Sequence, residues 1–262
     1  MINNMLRLAI SPCPNDTFMF DALINGRIDC EGLTFDVVYR DIEELNRGVL
    51  ACEPDVSKIS CAVLPAITQH YRMLDCGAAL GRGNGPLLVR RKGEVGPIKR
   101  IAVPGVYTTA NALIGRLMPA IEQREPMLFS SIAEAVERGD FDAGVLIHEG
   151  RFVYAKRNLE LVADLGLLWE ERTGLPLPLG GIVARRGLDA SVFETFERVL
   201  HRSIEYAFAN PMASREFVKQ HAQELDDDVI NQHIELFVNE YSLSLGESGR
   251  LALASLTGLE EF

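Results

Sequence analysis

The sequence has no apolar run approaching the ~20 residues that a membrane-spanning helix requires. Its start carries no basic stretch followed by an apolar segment, so no secretory leader is expected and the expected location is cytoplasmic. Basic residues are scarce: 26 Lys and Arg stand against 37 Asp and Glu, a net charge of −11. No basic excess exists to neutralise phosphates, so nucleic acid is not an expected partner. An acidic total does not exclude an anionic ligand, because binding follows the local field of a pocket. The cysteines, Cys13, Cys30, Cys52, Cys61 and Cys76, are odd in number and form no C-x-x-C pair. A disulfide scaffold or zinc site is therefore not expected, and reduced thiols are. None of His70, His201, His221 and His233 pairs with another His at metal-ligand spacing beside a carboxylate, so no metal is expected. Internal repeats and low-complexity tails are missing as well.

What is present is an ordinary globular composition, 47% hydrophobic and 24% charged over 262 residues, enough for two modest domains or one large one. The first third alternates strand and helix patterns. Leu6–Ile10, Leu33–Tyr39 and Val56–Ser60 read as strands. Helices are predicted from about Asn15, from Asp41 to Leu50, and over 62–71. This β-α-β-α-β order implies parallel strands with crossover helices. Gly81–Pro86 breaks the pattern and leads into a strand at Leu87–Arg90. A dinucleotide fingerprint would need its glycines to open a helix, so a bend between lobes is the better reading. Further strands are predicted at Ile101–Val103 and Ala143–Ile147. A capping box at Ser131 and Glu134 starts a helix that ends at Gly139. Leu175–Gly181 is too proline-rich for a central strand, and Ile182–Ala184 reads as a strand back into the first lobe. Helices follow over 191–209, 212–222, 227–239 and 246–257. The expected fold is α/β and two-lobed, with a large discontinuous lobe (1–88 and 183–262), a small lobe (89–182), a ligand cleft between them and a helical C-terminal segment.

Three strand ends should meet at that cleft. Ser11-Pro12-Cys13-Pro14-Asn15-Asp16-Thr17-Phe18 runs from a strand through a stiff polar turn into a helix, where unpaired N–H groups and polar side chains gather. Asn15 and Asp16 are candidate ligand contacts, with Asp16 also able to carry a proton or simply to sit at a helix start. Lys58-Ile59-Ser60 ends the third strand, where backbone N–H groups and the Ser60 hydroxyl suit a carboxylate. Thr108-Thr109-Ala110 opens another helix. One threonine suffices as cap, which leaves the second for a ligand. His148, with Glu149, follows the apolar strand Ala143–Ile147. Strand carboxyl ends are where α/β proteins place ligands, and an imidazole exchanges protons near neutral pH. Cys13 lacks a base nearby in sequence, which argues against a nucleophilic thiol.

Taken together and in order, Ser11–Phe18, Ser57–Ser60, Gly81–Pro86, Val103–Gly105 with Thr108 and Thr109, Ile147–Glu149 and Leu175–Gly181 resemble the 1,4-dihydroxy-6-naphthoate synthase family of the futalosine route to menaquinone. The likeness runs over nearly the whole chain. It implies a periplasmic-binding-protein-like fold (type II) and a carbon–carbon lyase that takes cyclic dehypoxanthine futalosine, without a cofactor. It implies His148 as proton acceptor and Lys58-Ile59-Ser60 and Thr109-Ala110 as substrate contacts; Thr108, Asn15 and Asp16 are added from the strand-end geometry. The alternatives are the related chorismate dehydratase and a non-catalytic binder of a small carboxylated metabolite. A homodimer is compatible with the sequence.

Overall fold

A computed structural model describes residues 5–148, 150–222 and 226–262. The strands are β1 (Met5–Ile10), β2 (Thr34–Tyr39), β3 (Val56–Ser60), β4 (Tyr71–Met73), β5 (Ala79–Gly81), β6 (Leu87–Arg91), β7 (Arg100–Val103), β8 (Gln123–Pro126), β9 (Ala143–Leu146), β10 (Leu159–Asp164) and β11 (Leu177–Arg185). The helices are α1 (Pro14–Ile24), α2 (Ile42–Leu50), α3 (Leu64–Ile67), α4 (Thr109–Leu117), α5 (Phe129–Arg138), α6 (Gly150–Val153) and α7 (Leu165–Thr173). They continue as α8 (Ala190–Ala209), α9 (Arg215–His221), α10 (Asp227–Phe237), α11 (Glu240–Leu243) and α12 (Gly246–Thr257).

These strands form two sheets. The first has the order β2-β1-β3-β11-β4, with β5 also paired to β11; the second has the order β10-β6-β9-β7-β8. In the first, β1 runs parallel to β2 and β3, as the βαβ pattern requires, whereas β11 is antiparallel to β3. In the second, β7 is parallel to both β8 and β9. The first sheet thus takes its strands from residues 5–81 and 177–185, and the second from 87–164. Leu87–Leu88, counted with the large lobe in the sequence reading, belongs to the second sheet. Leu177–Gly181, counted with the small lobe, belongs to the first.

That second shift corrects the reading of the proline-rich segment. Leu177–Gly181 is strand after all, and it lies inside the sheet. Its pairing with β5 is irregular between Pro178 and Gly180, and a proline without an N–H is tolerated at such a break. Nor does the 62–71 helix extend as predicted. A 3-10 turn at Cys61–Val63 and the short α3 replace it, and Tyr71 already belongs to β4. Likewise α5 starts at Phe129, so Ser131 lies inside the helix rather than capping it.

Apolar periodicity places the core. One cluster joins α1 and α8 to the outer face of the first sheet through Phe18, Phe20, Phe196 and Leu200. A larger cluster runs continuously across both sheets, from Ile59, Leu80 and Val183 to Ile101, Leu113 and Val145. The two sheets are therefore joined through α4 and α7, which pack on β11 of the first sheet, with the carboxyl ends of β1, β3, β7 and β9 feeding one cavity.

Candidate active site

That cavity encloses about 660 Å³ of non-atom space, its open mouth included. Asn15, Lys58, Ile59, Ser60, Thr108, Thr109, Ala110 and His148 all line it. Of the residues expected from sequence, Asp16 stands behind the wall, and Glu149 lies outside the described residues.

Asp16 is fully buried and organises the floor. Its carboxylate accepts hydrogen bonds from the Ser11 backbone (3.1 Å), the Ser11 hydroxyl (2.7 Å) and the Asn15 amide (2.8 Å). Lys58 Nζ lies 2.9 Å from Asp16 Oδ1. This is an ion contact without hydrogen-bond alignment, for Nζ has no hydrogen-bonded partner among the described residues. The ammonium keeps its donors for a ligand while the carboxylate neutralises most of its burial cost. Asp16 thus positions Lys58 instead of meeting the ligand.

Ser60 is held from both sides. Its backbone N–H donates to Asn46 Oδ1 (2.8 Å), and its hydroxyl accepts from Asn46 Nδ2 (2.9 Å). The N–H expected to hold a carboxylate is therefore spent, but the hydroxyl proton stays available to a ligand. Gly180 approaches this strand so closely that a Cβ there would lie 2.7 Å from the Ile59 carbonyl and 3.0 Å from Lys58 Cε.

The two threonines divide their work differently from the sequence reading. Thr108 caps α4: its hydroxyl donates to the Gly105 carbonyl (2.9 Å) and accepts from Asn111 N–H (3.3 Å). The Thr109 hydroxyl donates to the Leu179 carbonyl (2.8 Å) and accepts from Ala62 N–H (3.3 Å), tying the second sheet to the first. Both hydroxyls are engaged. What α4 presents to the cavity is the backbone N–H pair of Thr109 and Ala110, which have no intrahelical acceptor and attract anions.

His148 sits just past β9 with φ of +53°. A non-glycine residue in the left-handed region costs of order 1–3 kcal/mol and persists where the surroundings over-determine it. Here rings supply that constraint. Phe129 packs against the His148 ring at 4.9 Å between centroids, and His233 stacks parallel to it at 5.9 Å and 3°. Cys13 Sγ also lies 3.9 Å from His148 Nε2. The base that local sequence did not offer Cys13 thus comes from 135 positions away.

Sequence reasoning missed two titratable residues of this cavity. Arg151, one helical turn after His148, reaches across to the Gly81–Pro86 crossing, donating to the Gly85 (2.6 Å) and Gly83 (2.8 Å) carbonyls. Burial pulls its guanidinium below the usual arginine range, partly offset by Asp164 and Tyr154. His233 is buried on α10 and hydrogen-bonds through Nε2 to Asn15 Oδ1 (3.0 Å). Its signal was present: it shares a helical stripe with Val229, Ile230 and Phe237, all buried. Lys58 and Arg151 bring two cationic groups to the lining, each with a carboxylate beside it (Asp16 at 2.9 Å and Asp164 at 3.8 Å), while Ile42, Ile59, Leu179 and Phe237 form apolar walls. The arrangement can hold a flat, apolar body with a carboxylate and place an imidazole beside it. Among the described residues, no helix is long and apolar enough to cross a membrane.

Proteins already known resemble this chain over nearly its whole length. A family model described as menaquinone biosynthesis matches residues 6–261. The chain is 43% identical over 256 residues to a 1,4-dihydroxy-6-naphthoate synthase of Thermus thermophilus, covering 96% of this chain and 92% of that protein. It is also 43% identical over 263 residues to one of Streptomyces coelicolor, covering 98% and 93%. Among solved structures, a protein from Archaeoglobus fulgidus superposes with a TM-score of 0.90 at 39% identity, covering 97% of this chain and 96% of that one. A Candida albicans protein described as having the generic periplasmic binding protein fold superposes with a TM-score of 0.72 at 13% identity, covering 98% and 92%. The last likeness shows the fold, which is periplasmic-binding-protein-like as the sequence led us to expect.

Proposed function

The chain belongs to the menaquinone-biosynthesis family, and from that premise we propose that it is a carbon–carbon lyase that converts cyclic dehypoxanthine futalosine to 1,4-dihydroxy-6-naphthoate, with His148 as general base. The observation that carries this reading is the meeting of His148, Lys58 and the Thr109–Ala110 N–H pair around one apolar-walled cavity. Lys58 Nζ and the α4 N–H groups bind the carboxylate of the substrate. The Ser60 hydroxyl donates to one of its oxygens, and the apolar walls enclose the nascent naphthalene. His148 takes a proton from the sugar-derived part, which opens that ring and starts the carbon–carbon cleavage that releases the sugar-derived fragment as the second product. Formation of an aromatic naphthol drives the step, which is redox-neutral overall.

The lobes are drawn along the two sheets, with crossings at 82–86 and 174–176, and their closure excludes water from the cavity. Cysteines outside disulfides suit a reducing cytoplasm. Incubating purified protein with the substrate and assaying for the naphthoate by absorbance and mass tests the activity, with chorismate as the control that should stay unchanged. His148→Ala should lower turnover by ~10²–10⁴-fold while the product still binds. Full turnover by that variant would remove the base from His148. Product binding without any turnover by the native protein would make the chain a binding protein.

A further inference from the structure

Every described titratable group in the cavity except one has a part in the reaction proposed above or, as Arg151 does, in fastening the crossing at Gly83 and Gly85. The exception is His233. Three observations bear on it.

The first is its tautomer. Asp16 Oδ2 accepts two bonds from Ser11 and Oδ1 faces the Lys58 ammonium, so the carboxylate serves here as an acceptor. The Asn15 amide must then turn its NH₂ toward Asp16 and its oxygen toward His233. That oxygen only accepts, so His233 Nε2 carries a hydrogen and donates it. A chain running Lys58, Asp16, Asn15, His233 thereby fixes both the tautomer and the plane of a buried ring. The second observation is charge. Among the described residues, the groups around His233 are Asn15 of α1, Lys58 of β3, His148 after β9, Arg151 and Phe152 of α6, and Phe237 of α10 itself. No carboxylate is among them to favour a protonated ring, and burial with the neighbouring cations keeps it neutral. The third is contact. The His148 ring lies parallel to this fixed ring in an offset stack, although His148 follows a strand of the second sheet and His233 belongs to a helix packed on the first.

We propose that His233 is a positioning residue for His148: a neutral, immobilised platform in one lobe on which the base of the other lobe stacks when the cleft closes. Resting on the reading of His148 as base, the inference explains how a histidine on a positive-φ turn is held at one angle. An uncharged partner also allows His148 to take up a proton without a cation against its face. The base is thus completed by closure rather than being present in either lobe alone.

The test compares two apolar replacements, His233→Phe and His233→Leu, in the full-length protein with cyclic dehypoxanthine futalosine. Both lose the bond to Asn15 and both fill the space; only Phe supplies a flat ring. The expected result is a kcat at least about tenfold lower for Leu than for Phe, with similar KM values. In parallel, ¹⁵N-histidine NMR of the native protein should show His233 neutral and protonated on Nε2, which needs no variant to fold. Equal kcat for the two replacements, a loss confined to KM, or a proton on Nδ1 would each overturn the inference. Full turnover by His148→Ala, or no turnover by the native protein, would overturn the reading it rests on, and the inference with it. Loss of turnover in His148→Ala with equal kcat in the His233 pair overturns the platform alone.

Discussion

At the scale of single residues, this site works by fixing charges before a ligand arrives. Lys58 is 5% exposed and its partner Asp16 is fully buried, so removing either would leave the other as an uncompensated interior charge. His233 has a measurable consequence of the opposite kind. Burial first, then His148, Lys58 and Arg151, hold its imidazole well below the usual 6.5. The unfolded ring binds a proton as pH drops through about 6.5, while the folded ring stays neutral. Stability is therefore full above that pH and falls below it by up to about 1.4 kcal/mol per pH unit until the folded ring also titrates. Urea denaturation between about pH 7 and pH 5 should show this decline in the native protein and a shallower one in His233→Phe. Equal slopes would mean that His233 is already charged when folded. Cys61 behaves consistently with its place in the core, where burial pushes its thiol up to about 12. The candidates Asn15, Lys58 and His148 were legible because each adjoins a strand end with a local polar signature. For His233 the helical stripe signalled burial but not its role, because its partner Asn15 is 218 positions away.

At the scale of elements, the crossing at 82–86 decides how the two sheets meet. Arg151 pins it by two carbonyls. Gly85 lets it pass α7 at backbone distance: a Cβ on Gly85 would fall 2.2 Å from the Gly166 backbone. Gly83 nearby has φ of +68° but open space around it. Gly85→Ala should therefore cost about 1–3 kcal/mol or more through steric displacement of the crossing. Gly83→Ala should cost about 1–2 kcal/mol from backbone conformation alone and leave turnover near native. Paired denaturation and activity measurements check this, and equal effects of the two substitutions would mean the crossing is not constrained at Gly85. The elements that local pattern misjudged share one cause. β4 and β5 are three residues each, too short for any period to show. The strand β11 begins beside a proline because β3, β4 and β5 supply its partners. Where pairing is non-local, it overrides local propensity.

For the whole molecule, the continuous core across both sheets and the Thr109–Leu179 bond between them describe a closed arrangement around the cavity. A ligand that binds only this arrangement stabilises it by mass action. The product 1,4-dihydroxy-6-naphthoate at about 100 times its Kd should add about 2.7 kcal/mol to unfolding stability, read as a concentration-dependent rise in Tm. Chorismate at the same concentration should add little; the reverse ranking would reassign the substrate. The sequence by itself determined the α/β class, the parallel strands of the first third, the glycine crossing and most of the cavity wall, since these depend on periodicity and turn chemistry within a few residues. Only the tertiary structure decided that Asp16 serves Lys58, that Thr109 bonds Leu179, that Cys13 lies against His148 and that His233 stacks on it. Those relations join residues tens to hundreds of positions apart, and no local pattern encodes which distant side chain will satisfy a buried donor, acceptor or charge.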